Sequence, residues 1–296
     1  NSRLNGNGLP IATVDNTGRL TFDNSNVFTF SNKKLSGEFN KDNNIDFILG
    51  QETFETRNQE SEIVQRYFPL GTTAEKAFGN LNLASAPTGF AEPSPTSYKD
   101  LQRISSFFSR INYSYKDKYL ATLSLRADGS YLIPTARTLS HNQWGYFPAA
   151  SFAWRVSQEK FMDNLKPVIS DLKLRLDYGE AGNNRIDPFL YLTQFGTKGN
   201  YYGLLDQLVT AFGSIGLANS SLTWESIISR DVGLDMSLFK NRFQLSLDYY
   251  RNKTKDLLVS VRVPATSGYT EQIQNVGSTT NNGFEVQLNT TILQSK

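Results

Sequence analysis

The chain has no cysteine among its 296 residues, which excludes a disulfide framework and any thiolate metal site. It has one histidine, His141, too few for an imidazole metal cluster, and this residue, expected in a solvated loop, offers no recognisable Ser-His-acid constellation. Glycine-rich phosphate loops of the GxGxxG or Walker type are missing. The net charge is only +2, with acids and bases interspersed, so no basic stripe offers a footprint for nucleic acid. No apolar run approaches the roughly 18 to 20 residues of a membrane-spanning helix. That absence leaves open a membrane β-barrel, whose strands need only about 9 to 11 alternating residues.

Aromatic residues and glycine are plentiful: 20 Phe, 14 Tyr and 21 Gly. They fall within runs of two-residue alternation joined by two charged tripeptides, Lys116-Asp117-Lys118 and Lys240-Asn241-Arg242. After the first, Tyr119, Ala121, Leu123, Leu125 and Ala127 alternate with Leu120, Thr122, Ser124, Arg126 and Asp128. Side chains of a strand point to opposite faces, so this run has one apolar and one polar surface, and the period excludes a helix. Before the turn, Ile111, Tyr113 and Tyr115 oppose Arg110, Asn112, Ser114 and Lys116. The second hairpin repeats the rule, with Val232, Leu234, Met236 and Leu238, then Phe243, Leu245, Leu247 and Tyr249, on its apolar side. Tyr113, Tyr115 and Tyr119 crowd the apolar face beside a turn, as the interfacial girdle of a membrane barrel requires. A soluble β-sandwich also alternates and stays open as the other architecture.

Nine strands are expected. The first lies near 33 to 40, followed by a turn at Lys41-Asp42-Asn43-Asn44 and strands at about 45 to 56, 104 to 115, 119 to 128, 145 to 156 and 171 to 178. Two more flank the second tripeptide between 224 and 257, and the last spans about 280 to 292. The short connections at 41 to 44, 116 to 118, 157 to 170 and 240 to 242 fall on one rim. Long loops near 57–103, 129–144, 179–222 and 258–277 fall on the other, and 179–222 has room for a hairpin of its own. Such segregation is expected of an antiparallel transmembrane β-barrel with short periplasmic turns and long extracellular loops. An odd strand count cannot close a bacterial barrel, and the chain opens at Asn1 without a leader, so a fragment of a longer protein is expected.

Several ordered blocks, SFFSRINYSYKDKYLATLSLRADGS (106 to 130), GYFPAASFAWRVSQEKFM (145 to 162), DLKLRLDYGEAGN (171 to 183), WESIISRDVGLDMSLFKNRFQLSLDYYRNKTKDLL (224 to 258) and QNVGSTTNNGFEVQLN (274 to 289), resemble the C-terminal half of SusC/RagA-type TonB-dependent transporters. Residues 1 to 103 match weakly, apart from NNIDFILGQETFE (43 to 55). The resemblance implies part of a barrel of about 22 strands with a plugged lumen. It also implies active import of a nutrient, a glycan in preference to an oligopeptide, across the outer membrane of a Bacteroidetes-like bacterium. A SusD-like surface lipoprotein and the TonB complex are the implied partners, the latter through an N-terminal part outside this chain. The alternative is a ligand-binding or structural β protein that does not transport. No enzyme activity, cofactor or metal is expected.

Candidate functional residues follow from parity and position. Arg126, Asp128, Arg175 and Asp177 have polar-face parity and are expected to line the lumen, pairing with one another, with neighbouring strands or with a plug. Asp128-Gly129 is expected to begin a turn. Trp144, Tyr146, Tyr201, Tyr202 and Trp224 lie in or beside the long loops, where aromatic faces suit sugar rings or peptide side chains. Tyr201 and Tyr202, between Gly199 and Gly203, are the preferred ligand residues.

Overall fold

The structure is a computed structural model that describes residues 3–4, 10–90, 93–130, 144–187, 189–204 and 207–291. His141 and the segment after Ser130 lie outside the described residues. Ten strands form one sheet in the order β1 (Arg3–Leu4), β2 (Pro10–Ser31), β3 (Asn43–Arg66), β4 (Thr96–Tyr115), β5 (Tyr119–Ser130), β6 (Trp144–Arg155), β7 (Ile169–Asn183), β10 (Glu225–Leu238), β11 (Phe243–Lys255) and β14 (Ser278–Thr290). Two ribbons stand apart from it, β8 (Phe195–Leu204) with β9 (Gln207–Ser214) and β12 (Leu258–Arg262) with β13 (Glu271–Asn275). No helix among the described residues is long and apolar enough to cross a membrane.

The expected first strand at 33 to 40 is not one. Bends and a short helix, α1 (Glu38–Asp42), occupy that stretch. The strand lies earlier, in β2, where Leu20, Phe22, Phe28 and Phe30 alternate with polar residues. Strand β3 runs on to Arg66 and β4 begins at Thr96, so the connection between them narrows to 67–95.

The chain divides into two compact units. The first comprises Asn1–Asp23 and Phe54–Arg103. In it, helix α2 (Ala74–Gly79) starts at Thr73, whose hydroxyl accepts a hydrogen bond from the Lys76 amide, and buries Ala77 with Phe68 and Ala12. Glu55 is held between Arg57, at 2.7 Å, and Arg103, whose Nε donates at 2.9 Å.

The second unit comprises Asn24–Thr53 and Ile104–Lys296 and contains both tripeptide hairpins. The sequence alternation is realised as register: Leu123 lies opposite Ile111 and Ala150, Leu176 opposite Phe152 and Val232, and Leu247 opposite Leu234 and Val286. The apolar face is left uncovered, with Leu123 58%, Leu176 52%, Val232 53% and Val286 69% exposed. A sandwich would bury this face under a second sheet. An extended apolar surface of this kind belongs against lipid or a partner.

Both tripeptide turns put non-glycine residues in left-handed backbone: Lys116 and Asp117 at φ 53° and 54°, then Phe239, Lys240 and Asn241 at 51°, 58° and 66°. Such conformations cost of order 1 kcal/mol each and need compensating contacts. The Lys116 amide donates to the Asp42 carbonyl at 2.6 Å, and the Ser170 hydroxyl accepts from the Lys240 and Asn241 amides at 2.8 and 3.3 Å. Further backbone bonds run from Arg155 to Lys118, from Phe239 to Val168 and from Thr291 to Arg242, each 2.8 Å, so successive strand pairs are joined at this rim.

Glu159 sits just after the end of β6 at the same rim. Its carboxylate accepts from Tyr119 Oη at 2.7 Å, Lys118 Nζ at 3.1 Å and Trp154 Nε1 at 3.3 Å. These three donors, Tyr119 foremost, hold the carboxyl below its ordinary value of 4.5. A depressed carboxylate stabilises the fold above its unfolded pKa, and that contribution disappears as pH falls through the folded one. The urea midpoint of the folded protein is therefore expected to drop on acidification below about pH 4.5, and to drop less in Glu159→Gln. Parallel profiles for the two proteins would remove this role from Glu159.

Candidate functional site on the polar face

The polar face carries two ionic clusters. The first is centred on Arg175 of β7. Its Nε and Nη2 grip Asp235 of β10 in a two-pronged contact at 2.9 and 3.0 Å, and Nη2 also reaches Asp248 of β11 at 2.6 Å. Planar guanidinium and carboxylate match in this geometry, which makes the pair stronger than a point contact. Lys173 adds a second cation to Asp235 at 2.9 Å, and the single Ser246 hydroxyl lies within hydrogen-bond reach of both carboxylates, at 2.8 and 3.2 Å. Gly233 makes room for the cluster: a Cβ there would lie 2.6 Å from Arg175 Nη2 and 2.5 Å from Asp248 Oδ1.

Asp177, expected beside Arg175, lies outside this network. It stands opposite Asp231, while Asp248 stands opposite Glu285. Acids therefore outnumber bases on this stretch of wall: Asp177, Asp231, Asp235, Asp248 and Glu285 face Lys173 and Arg175.

Arg126 of β5 organises the second cluster. It donates to Asp128 at 2.7 Å, to Glu52 at 2.8 Å and to Ser106 Oγ at 2.8 Å, and its guanidinium covers the Phe108 ring at 5.7 Å. The expected partnership of Arg126 and Asp128 is thus present, and Glu52 joins it from β3. The expected turn at Asp128-Gly129 is absent. Strand β5 continues through both residues, and Gly129 lies opposite Trp144, whose indole would be 2.9 Å from a Cβ at that glycine. The glycine serves ring packing rather than chain reversal.

A cavity of about 530 Å³ opens beside Arg126, its lining including Ile48, Phe108, Arg110, Asp128, Phe147 and Gly182. Phe147 is buried, with its ring pressed on the backbone of Gly145 and Gly182 and Trp224 packed edge-on at 5.5 Å. Ile186 completes this aromatic knot. Phe147, Phe108 and Glu52 escaped the sequence reading. The legible signal was parity, since Phe147 is a large aromatic at a polar-face position with glycines nearby.

The aromatic ligand candidates whose rings are described, Trp144, Tyr146 and Trp224, do not come together. Trp144 stacks on Phe107 at 6.0 Å, and Tyr146, opposite Ala127, shares that apolar face. Trp224 is buried against Phe147. Tyr201 and Tyr202 lie on β8, opposite Thr210 and Val209 of the ribbon partner. The same ribbon exposes Phe195 and Phe212, 69% and 74% accessible.

The second ribbon is tied down by side-chain amides. Asn219 and Gln272 bond the Ile273 and Ala218 carbonyls at 2.8 and 2.7 Å, and Asn275 bridges Thr223 and Asp256. Glu225 accepts from Asn183 and from the Leu258 amide. The long connections therefore rest on strand ends that are fixed. Among the described residues no group of three or more His, Cys, Asp or Glu could hold a metal ion.

Comparison with known proteins gives these surfaces a context. The family model described as "TonB dependent receptor-like, beta-barrel" matches residues 2–294. The chain is 40% identical over 230 residues to TonB-dependent receptor P26 of Formosa agariphila, covering 73% of this chain and 22% of that receptor. It is 35% identical over 198 residues to TonB-dependent receptor SusC of Bacteroides thetaiotaomicron, covering 66% of this chain and 19% of SusC. In fold it is similar to the RagAB peptide importer in its closed-closed state, with a TM-score of 0.81 and 23% identity over 99% of this chain and 30% of that one. The chain thus spans about a fifth of the length of the curated relatives cited here.

Proposed function

Because the chain belongs to the TonB-dependent receptor β-barrel family, in its SusC/RagA-like branch, and so to the outer membrane of a Gram-negative bacterium, we propose that it forms wall of a transporter that imports a nutrient oligomer under TonB drive. The observation that carries the reading is the two-faced single sheet. Its uncovered apolar side suits lipid, and its polar side holds ordered charges around a cavity, as a plugged lumen needs.

In this reading the short-turn rim is periplasmic and the ribbons reach outward. A SusD-like lipoprotein closes over the long loops, with the exposed Phe195 and Phe212 as its docking points. The substrate is a glycan, received on Tyr201 and Tyr202, while Arg126, Asp128, Arg175 and Asp177 line the path. An oligopeptide is the second reading, favoured by the acid excess around Asp231, which suits cationic cargo.

Uptake by the full-length protein decides between them. Radiolabelled glycans and peptides, offered to cells with and without TonB, are expected to show TonB-dependent glycan entry. Tyr201→Ala with Tyr202→Ala should lower it by about thirtyfold, on the order of 1 kcal/mol for each of the two lost stacking contacts. Entry of neither class, with the protein correctly in the membrane, would defeat the importer reading; peptide entry alone would replace the glycan.

A further inference from the structure

On the apolar face the polarity reverses abruptly on the side away from the 239–242 turn. Val232 lies opposite Tyr249, and the next outward positions place Arg230 directly opposite Arg251, followed by Lys253 opposite Ile228. Like charges directly across a strand pair repel, so this arrangement is unfavourable on its own. All three cations are exposed, and among the described residues none of them has an ion-pair partner. The neighbouring acid, Glu180, is already engaged by Lys255 at 3.3 Å.

Two observations say what fills this gap. Arg230 stands directly opposite Tyr178, and the cations lie just past Tyr249 and Phe284, whose ring centroids are 4.8 Å apart, so the three rings form an aromatic belt beside them. Aromatic residues mark the level at which acyl chains give way to headgroups. Tyr178, on which the Arg230 guanidinium rests at 5.8 Å, also borders an apolar depression of about 400 Å³ lined by Ile111, Leu123, Leu125, Pro148 and Ala150. A cationic head site thus adjoins a trough of acyl-chain character, and Tyr178 belongs to both.

We propose that Arg230, Arg251 and Lys253 bind the phosphate headgroup of a membrane lipid whose acyl chain lies in the trough beside Tyr178. The proposal rests on the outer-membrane barrel reading. The phosphate removes the repulsion between Arg230 and Arg251 and accepts hydrogen bonds from both guanidinium groups. The site is thereby a fixed lipid position on the outer wall, separate from the lumen.

Detergent-purified full-length protein, titrated with dioleoyl phosphatidic acid or dioleoylglycerol and read by native mass spectrometry, tests this. The two lipids share acyl chains and differ in the phosphate. Wild type should retain phosphatidic acid about tenfold better than dioleoylglycerol, and Arg230→Gln/Arg251→Gln/Lys253→Gln should lose that preference. Arg230→Lys/Arg251→Lys should keep most of it, which separates lost charge from lost folding. Equal retention of the two lipids by wild type, or an unchanged preference in the glutamine variant, overturns the proposal. Displacement of phosphatidic acid by millimolar inorganic phosphate also overturns it, in favour of a free-anion site. Fractionation of the same cells keeps the two readings apart, since a protein absent from the outer membrane would defeat the barrel and not the lipid site alone.

Discussion

Arg175→Leu is expected to lower unfolding stability by about 3 kcal/mol, the order seen when one partner of a largely desolvated ion pair is removed. The side chain is 26% exposed and ties three strands together, and its loss leaves Asp235 and Asp248 as neighbours on either side of Ser246, with Lys173 the remaining cation on Asp235. Much of the cost is that residual repulsion, so adding Asp235→Asn and Asp248→Asn should recover most of it. Urea unfolding of the reconstituted full-length protein reads the difference. A loss below about 1 kcal/mol would mean that water screens the cluster as it screens a surface pair. Asp177→Asn is the contrasting case, because Asp177 faces Asp231 and stands outside the Arg175 network. It should be neutral or mildly stabilising.

Phe147→Ala is expected to cost a similar amount, about 3 to 5 kcal/mol, through the cavity that it leaves. The ring is 8% exposed and fills the space over Gly145 and Gly182 against Trp224. Neither glycine carries a side chain that could close the void, so relaxation is limited. Water admitted to the space would reach the indole, and tryptophan emission should shift to longer wavelength along with the fall in urea midpoint. Phe147→Leu, which refills part of the volume, should recover roughly half of the loss. An unchanged emission maximum with full stability would show that the loops hold Trp224 without help from the ring.

The hairpins were legible because period two is a local property. Tyr119 to Ala127 needs no knowledge of its neighbours to declare two faces, and the tripeptides supply the reversals. Strand β2 was not read in the sequence, because Gly18 and the Asn24-Ser25-Asn26 run interrupt its alternation, although neighbouring strands can hold such residues extended. Lys33 to Asn40 misled in the other direction, since part of its chain coils into α1 where the alternation suggested a strand. Parity put the charges on one face of the sheet but could not choose their partners. Arg175 reaches Asp235 and Asp248 rather than Asp177 because register, which sequence leaves free, decides which carboxylate lies across from which base. For the aromatic candidates, nearness to a loop does not say which way a ring points. Trp144 and Tyr146 turn to the apolar side, while Phe147, between glycines, turns inward.

The backbone bonds that pass from one short turn to the next strand bear on errors of alignment. In a sheet, a slip of one residue exchanges every inward and outward side chain. Here such a slip would carry Arg175 and Asp235 into the lipid and bring Leu174 and Leu234 into the water. The bonds from Lys116 to Asp42, Arg155 to Lys118, Phe239 to Val168 and Thr291 to Arg242 each fix one strand's phase to the turn before it. The rim therefore acts as a ruler, marking zero for each hairpin as it joins the sheet, and the sorting of greasy from charged surface follows from that mark.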